Sequence, residues 1–424
     1  MKNKFKNALI TMLLLTVHYF VNGQSPDTLT LDYCQKAAIE NYPLTKGKKL
    51  LLSANKTKIE SLNTNYLPRF NLNSQATYQS DVTKISLDLP GVQLPSPPKD
   101  RYDLNIETSQ TLFDGRITKN LKELEKMNLS VDTLKIEVDL YTLKEKVNTI
   151  FFGILILQEN EKLLNMISSE LGKKISMAES GVRNGILMVS DLDLLRVEKL
   201  KIDQQKDETT QQRYASIEML GKYLNQSLPF EIFLKKPVYS EKEKINNRPE
   251  LTLFDAQINK IETSIEVLNS KRQPKIGAFV QTGYGQPGLN MLSENFNDYY
   301  LAGVKLTWNI FDWNQTNKEK QVLKYNQEII STQKETFNKN IDIVLTNLDA
   351  SVRRLRNLIE TDKEIIELRS QITKKYSSQL GNGVISASDY ITQLIAETQA
   401  RINQQIHGIQ LLQELHNIQF IKGN

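Results

Sequence analysis

Asn184-Gly-Ile-Leu-Met-Val-Ser-Asp191 returns as Asn382-Gly-Val-Ile-Ser-Ala-Ser-Asp389, 198 residues further along the chain. Leu112-Phe-Asp114 returns as Ile310-Phe-Asp312 at the same spacing, and Pro43 and Pro68 return as Pro249 and Pro274 at a spacing of 206. Solenoid repeats run to about 20–50 residues, so a period this long reads as one domain-sized unit present twice.

The prolines divide the chain. All twelve fall within 26–98 or 229–287, leaving 99–228 and 288–424 free of them. A proline inside a helix costs about 3 kcal/mol, so these two gaps are where long helices can run. Ile136, Leu140, Leu143, Val147, Ile150, Ile154 and Leu157 step by four and three. Phe337, Ile341, Val344, Leu348, Ser351, Leu355 and Leu358 do the same, with Ser351 the one polar member. This is the apolar stripe of coiled-coil packing. Each gap reads as a helical hairpin, with a first tip near 181–191 and a second near 381–389. The first arm, about 116–180, would span roughly 100 Å at 1.5 Å per residue. An ordinary helical bundle is the alternative, and arms this long without breakers favour the extended hairpin.

Before each long helix the periodicity changes to two. Phe70, Leu72, Ser74, Ala76 and Tyr78 alternate with Asn71, Asn73, Gln75, Thr77 and Gln79. The same alternation marks strands at about 101–113, 275–285 and 299–311, with Phe279 and Leu301 as blemishes on the polar face. Runs near eleven residues suit a tilted membrane-crossing strand, with one face for lipid and one for a lumen. Tyr78, Tyr102, Tyr284 and Tyr300 stand at the loop ends, where an aromatic girdle lies in such barrels. Pro90-Gly91, the 95–98 cluster and Pro287-Gly288 make the intervening loops turn-rich. A soluble antiparallel sheet with one wet face shows the same alternation. Export, strand length and placement between helical segments favour the membrane. Four strands cannot close a barrel and an open edge cannot face lipid, so several chains would have to share one barrel.

The N-terminus carries the mark of export. Lys2, Lys4 and Lys6 precede an apolar run from Ala8 to Val21, and Gly23 is a plausible cleavage position, giving a signal peptide at 1–23. Three of the five net positive charges belong to this segment, and the +2 left is no footprint for nucleic acid. One cysteine, Cys34, permits no internal disulfide. Hydrophobic content of 39% is low for a compact chain of this length and suits an elongated protein. Only His407 and His416 follow the signal, and no metal spacing, phosphate loop or nucleophile elbow occurs, so no enzyme, cofactor or metal site is expected. Gly283-Tyr-Gly-Gln-Pro-Gly288 matches a dinucleotide-loop string, but Pro287 and a loop follow it where a helix would be needed. Trp308 and Trp313 read as membrane-interface residues.

Together these segments resemble the TolC-type outer membrane factors over essentially the whole mature chain. Leu29-Thr-Leu-Asp-Tyr-Cys-Gln-Lys-Ala37 with Glu40-Asn-Tyr-Pro43 resembles the opening helix of that family. Tyr66-Leu-Pro-Arg69 resembles its entry to the barrel, and Asn247-Arg-Pro-Glu-Leu251 the start of its second repeat. Gly185 with Asp191, and Gly383 with Asp389, resemble its paired tips.

The resemblance implies a mixed α and β membrane protein of the Gram-negative outer membrane. Two repeats, 24–227 and 249–424, joined by an equatorial linker at 228–248, would supply coiled-coil hairpins to a periplasmic α-barrel. Four transmembrane strands per chain would join a shared 12-stranded β-barrel in a homotrimer. The implied partners are outer-membrane lipid, a periplasmic adaptor (membrane fusion) protein and an inner-membrane RND or ABC transporter. The implied function is a passive exit duct for efflux or type I secretion. Gly185, Asp191, Gly383 and Asp389 would dock the adaptor, although helix capping also accounts for glycine and aspartate there. Asp389 resembles the acidic constriction of the family. Ile385 stands where an arginine is common, so a constriction of Ile385 packing plus an Asp389 ring is expected, favouring cations. The rival reading is an exported structural or adhesive coiled-coil scaffold without a pore.

Overall fold

The computed structural model describes residues 28–82, 98–240, 247–291 and 293–423 of the 424-residue chain. The expected signal peptide, the turn at Pro90-Gly91 and residues 241–246 of the linker lie outside the described residues. In chain order the elements are β1 (Thr28–Leu29), α1 (Leu31–Asn41), α2 (Leu44–Asn63), β2 (Arg69–Tyr78) and β3 (Asp100–Phe113). Then follow α3 (Ile117–Arg183), α4 (Val189–Leu224), β4 (Phe233–Leu234) and α5 (Pro249–Lys271). The chain ends with β5 (Lys275–Gln286), β6 (Asn297–Thr307), α6 (Gln315–Gly381) and α7 (Ala387–Ile421). The proline-free gaps are thus filled by two helix pairs, and α3 and α6 are each 67 residues long.

The chain divides into two compact units that cut across the sequence repeats. One comprises the residues through Tyr42, Leu140–Asn246 and Asp342–Asn424; the other comprises Pro43–Asp139 and Asn247–Ile341.

The first unit is helical, with two apolar cores. In one, Cys34 and Ala38 of α1 pack with Val147, Phe151, Phe152 and Leu155 of α3 and Ile217, Leu220 and Leu224 of α4. Burial pushes the Cys34 thiol up to about 12, so it behaves as a small apolar group. The linker is pinned to this core by main-chain pairing of β1 with β4. Gln158 both donates to and accepts from the Leu234 backbone, and the buried Arg213 reaches the Phe230 carbonyl at 3.2 Å and Glu161 at 2.7 Å. In the other core, Leu164, Ile167 and Leu171 of α3 meet Leu195 of α4 and Tyr390, Ile391 and Leu394 of α7.

The second unit holds an antiparallel sheet in the order β2-β3-β5-β6, so β3 of the first repeat pairs with β5 of the second. The register sets Asn73, Asn105 and Gly283 beside Tyr299 in one cross-strand row. The two blemishes of the sequence differ in character. Phe279 lies on Gly303 directly opposite, where an added Cβ would meet the ring at 3.0 Å. Covering a strand glycine with a cross-strand aromatic gives both a packing surface. The last strand stops at Thr307, short of the expected 311. There Trp308 Nε1 donates to the Arg272 carbonyl at 3.0 Å, and Trp313 and Asn314 take positive φ of 54° and 65°, which turns the chain into α6.

Candidate pore wall and hairpin tips

Two regions carry chemistry. On the sheet, Phe70, Leu72, Leu104, Ile106, Val280, Val304 and Leu306 are all exposed, on the face that sequence alternation marks as apolar. Tyr78, Tyr102, Tyr284 and Tyr300 are exposed at its loop end. An apolar face of this extent is costly in water and at home against lipid. No helix among the described residues is long and apolar enough to cross a membrane. Among the described residues, no strand pairs with the outer side of β2 or of β6.

The polar face holds a hydrogen-bonded row. Asn73 donates to Asn105 at 3.1 Å, Asn105 donates to Asp103, and the Tyr299 hydroxyl donates to Asp103 Oδ1 at 2.5 Å. Tyr299 reaches across β5 because Gly283 has no side chain. A Cβ there would meet the tyrosine ring at 2.7 Å and Asn105 at 2.8 Å. The glycine string set aside as a dinucleotide loop is therefore a floor for an aromatic ring.

At the tips, both long helices end in the same turn. Ile186 N–H donates to the Gly181 carbonyl and Gly185 N–H to Val182; Val384 and Gly383 do the same to Gln379 and Leu380. This is the Schellman geometry, which requires positive φ at the following residue. Gly185 and Gly383 supply it at 73° and 68°. Gly383 has a second reason, since a Cβ there would meet the Ile186 carbonyl oxygen at 2.9 Å.

The two aspartates have diverged. Asp191 accepts from its own Met188 N–H at 3.3 Å and from Ala387 N–H of the second tip at 2.8 Å. It thus caps two helices, its own and α7. Asp389 turns back on Ser386, accepting from its N–H at 3.2 Å and its hydroxyl at 2.7 Å. Ile385 is half-buried against the tip core, whereas its neighbour Val384 is exposed. The backbone of the Schellman turn directs Val384 outward, a distinction the repeat pattern does not contain.

Sequence reasoning missed the cross-tip bond and a buried group beside it. Tyr390 is fully buried, with its hydroxyl 3.4 Å from Glu170 of α3 and its ring beneath the Lys174 ammonium. Burial and the Glu170 charge both push its phenol up, so it stays neutral. The signal was visible as a departure from the repeat: Leu192 follows the first aspartate and Tyr390 the second.

A sheet with one apolar exposed face, joined to paired helical hairpins and duplicated, defines the fold of the TolC-type outer membrane factors, and the chain has that fold. Among solved structures it is similar to the outer-membrane channel OprN, with a TM-score of 0.67 at 12% identity over 93% of this chain and 89% of that one. It is similar to the outer membrane protein VceC of Vibrio cholerae, with a TM-score of 0.63 at 12% identity over 92% and 94%. It is also similar to the open state of the MtrE outer membrane channel of Neisseria gonorrhoeae, with a TM-score of 0.64 at 14% identity over 93% and 89%. No family model and no curated protein sequence matches the chain.

Proposed function

We propose that the protein is the outer-membrane exit duct of a tripartite efflux or type I secretion system, a passive conduit rather than an enzyme. The observation that carries this reading is the exposed apolar face of the β2-β3-β5-β6 sheet. Each chain brings four strands and two open edges. Three copies would close a 12-stranded barrel, bury every edge and turn the apolar faces to lipid. The helices would extend into the periplasm of a Gram-negative cell.

The tips are the proposed gate and docking point. Gly185, Asp191, Gly383 and Asp389 would meet a periplasmic adaptor, which would couple the duct to an inner-membrane RND or ABC transporter. Within the chain, Asp191 ties the second tip to the first through Ala387. Asp389 is the acidic group proposed for the constriction, with Ile385 supporting it from the tip core.

The test is native mass spectrometry of detergent-extracted mature protein, followed by conductance in planar bilayers. A conducting trimer in the membrane fraction is expected, with cation preference reduced in Asp389→Ala. A soluble, non-conducting monomer would overturn the duct and favour an exported coiled-coil scaffold.

A further inference from the structure

The polar face of the sheet is built mostly from polar and charged residues and glycine, and it carries two aromatic rings. Tyr299 lies over Gly283 and Phe279 over Gly303, each ring half-buried with one face on the wall and the other open. Both are fixed. Tyr299 is held by Asp103 at 2.5 Å and approached by Gln281 at 3.4 Å, and Phe279 is seated on its glycine. Between their two rows runs the row of Glu107, Gln281 and Leu301. Successive rows on one face are about 7 Å apart, so the rings stand about 14 Å apart along the strand with Glu107 at the level between them. Asp103 adds a second carboxylate one row beyond Tyr299. Of the basic residues of this face, Arg101 and Lys305 fall one row further at either end; Arg69 shares the row of Phe279 but stands two strands away on β2, where it donates to Asn65.

Flat aromatic faces beside fixed carboxylates attract one chemical class. A planar aromatic cation can stack on the rings, gain cation–π attraction, and find its countercharge in Glu107 and Asp103. We infer that Phe279, Tyr299 and Glu107 form a contact site for planar aromatic cations on the lumenal wall. The inference deepens the duct reading, on which it rests, by naming a class of cargo.

Ethidium serves as the probe and anilinonaphthalene sulfonate as an aromatic anion of comparable size. Binding to detergent-extracted full-length mature protein is read by fluorescence polarisation, and block of single channels is read in planar bilayers. Ethidium should bind and block at lower concentration than the sulfonate. Phe279→Leu with Tyr299→Leu should raise both concentrations about tenfold. Equal action of the two dyes, or an unchanged ethidium affinity in the double variant, overturns the site. If the double variant does not assemble, Glu107→Gln decides: a severalfold loss of ethidium affinity supports the site, and no change overturns it. Absence of channels from the wild-type protein overturns the duct instead, and the polarisation measurement still decides whether the site binds.

Discussion

α3 and α6 hold the same place in the two repeats and have the same length, yet their apolar residues meet different fates. On α3, Ile136, Leu140, Leu143, Val147 and Ile154 of the heptad stripe are buried, as are Phe151, Phe152 and Leu155 beside it. On α6 the stripe reaches full burial only at Leu355, and Val344 is exposed. A second set on α6, Val322, Tyr325, Ile329 and then Ile365, Leu368, Ile372, steps by three and four and is exposed throughout. The chain covers α3 with α4, α1 and the pinned linker. It offers α6 far less. The first repeat is therefore packed by its own chain, while the second keeps a coiled-coil seam that lacks its knobs and holes. Equal patterns with unequal burial leave the α6 seam free for the further copies that the proposed trimer would bring.

The largest effect should come from the filled side of the comparison. Phe151→Ala empties a fully buried site and should cost about 3–5 kcal/mol of stability, read as a lower thermal midpoint by circular dichroism. A wild-type midpoint would mean that the α3 core is looser than its packing indicates.

The sheet tests the same idea in a different solvent. Val304 is exposed on the apolar face. Val304→Arg should cost about 2–4 kcal/mol per chain if that face meets the middle of a bilayer, read as lost trimer in the membrane fraction. Normal trimer yield would return the sheet to water.

Leu368→Glu separates the two helices most directly. Leu368 is 61% exposed, so in a lone chain the change should stay within about 0.5 kcal/mol. If a second copy covers it, the burial lost is worth about 1.5–3 kcal/mol at each interface. The trimer fraction in native mass spectrometry should then fall while the helical content of the chain holds. Unchanged assembly would leave the α6 seam without a role.

Much of this was legible in the sequence because the signals are periodic. Spacings of three and four gave the helix pairs, alternation gave the four strands, and the repeated Asn-Gly gave both turns. What the pattern could not contain is what one side chain does to another strand or helix. Phe279 and Leu301 read equally as errors on the polar face, but Gly303 opposite Phe279 makes one of them a packed ring. Asp191 and Asp389 read alike as first-turn carboxylates of the two tips, Asp389 being set apart only by its resemblance to the family's constriction. Only the approach of the tips, with Ile186 against Gly383, lets Asp191 cap a helix of the other repeat. The end of β6 was misplaced because Ile310 and Phe311 continue the apolar composition after the backbone has begun to turn.

The smallest expected effect lies where the strands hand over to the helices. Asp114 and Asp312 are repeat partners, each accepting from a backbone N–H four residues on, Thr118 at 2.8 Å and Thr316 at 3.1 Å. Asp114 is also buried and accepts from the Tyr66 hydroxyl at 2.9 Å. Burial alone would push its carboxyl up, but the Thr118 and Tyr66 hydrogen bonds outweigh this and hold it below the ordinary aspartate value. A carboxyl depressed in the folded state stabilises fully above its unfolded value, about 3.9, and that contribution is lost as pH falls through it toward the folded value. Asp114→Asn should therefore cost about 0.5–2 kcal/mol at neutral pH, as lost caps do, and should flatten the acid limb of stability. The thermal midpoint followed from neutral pH down to about 3 reads both effects. Asp312→Asn should flatten that limb as well, because Thr316 and the Arg272 charge hold its carboxyl down without the burial that opposes the effect at Asp114. Equal limbs in the two variants would mean that the extra burial of the first repeat changes nothing at this junction, and that its asymmetry with the second is confined to the long helices.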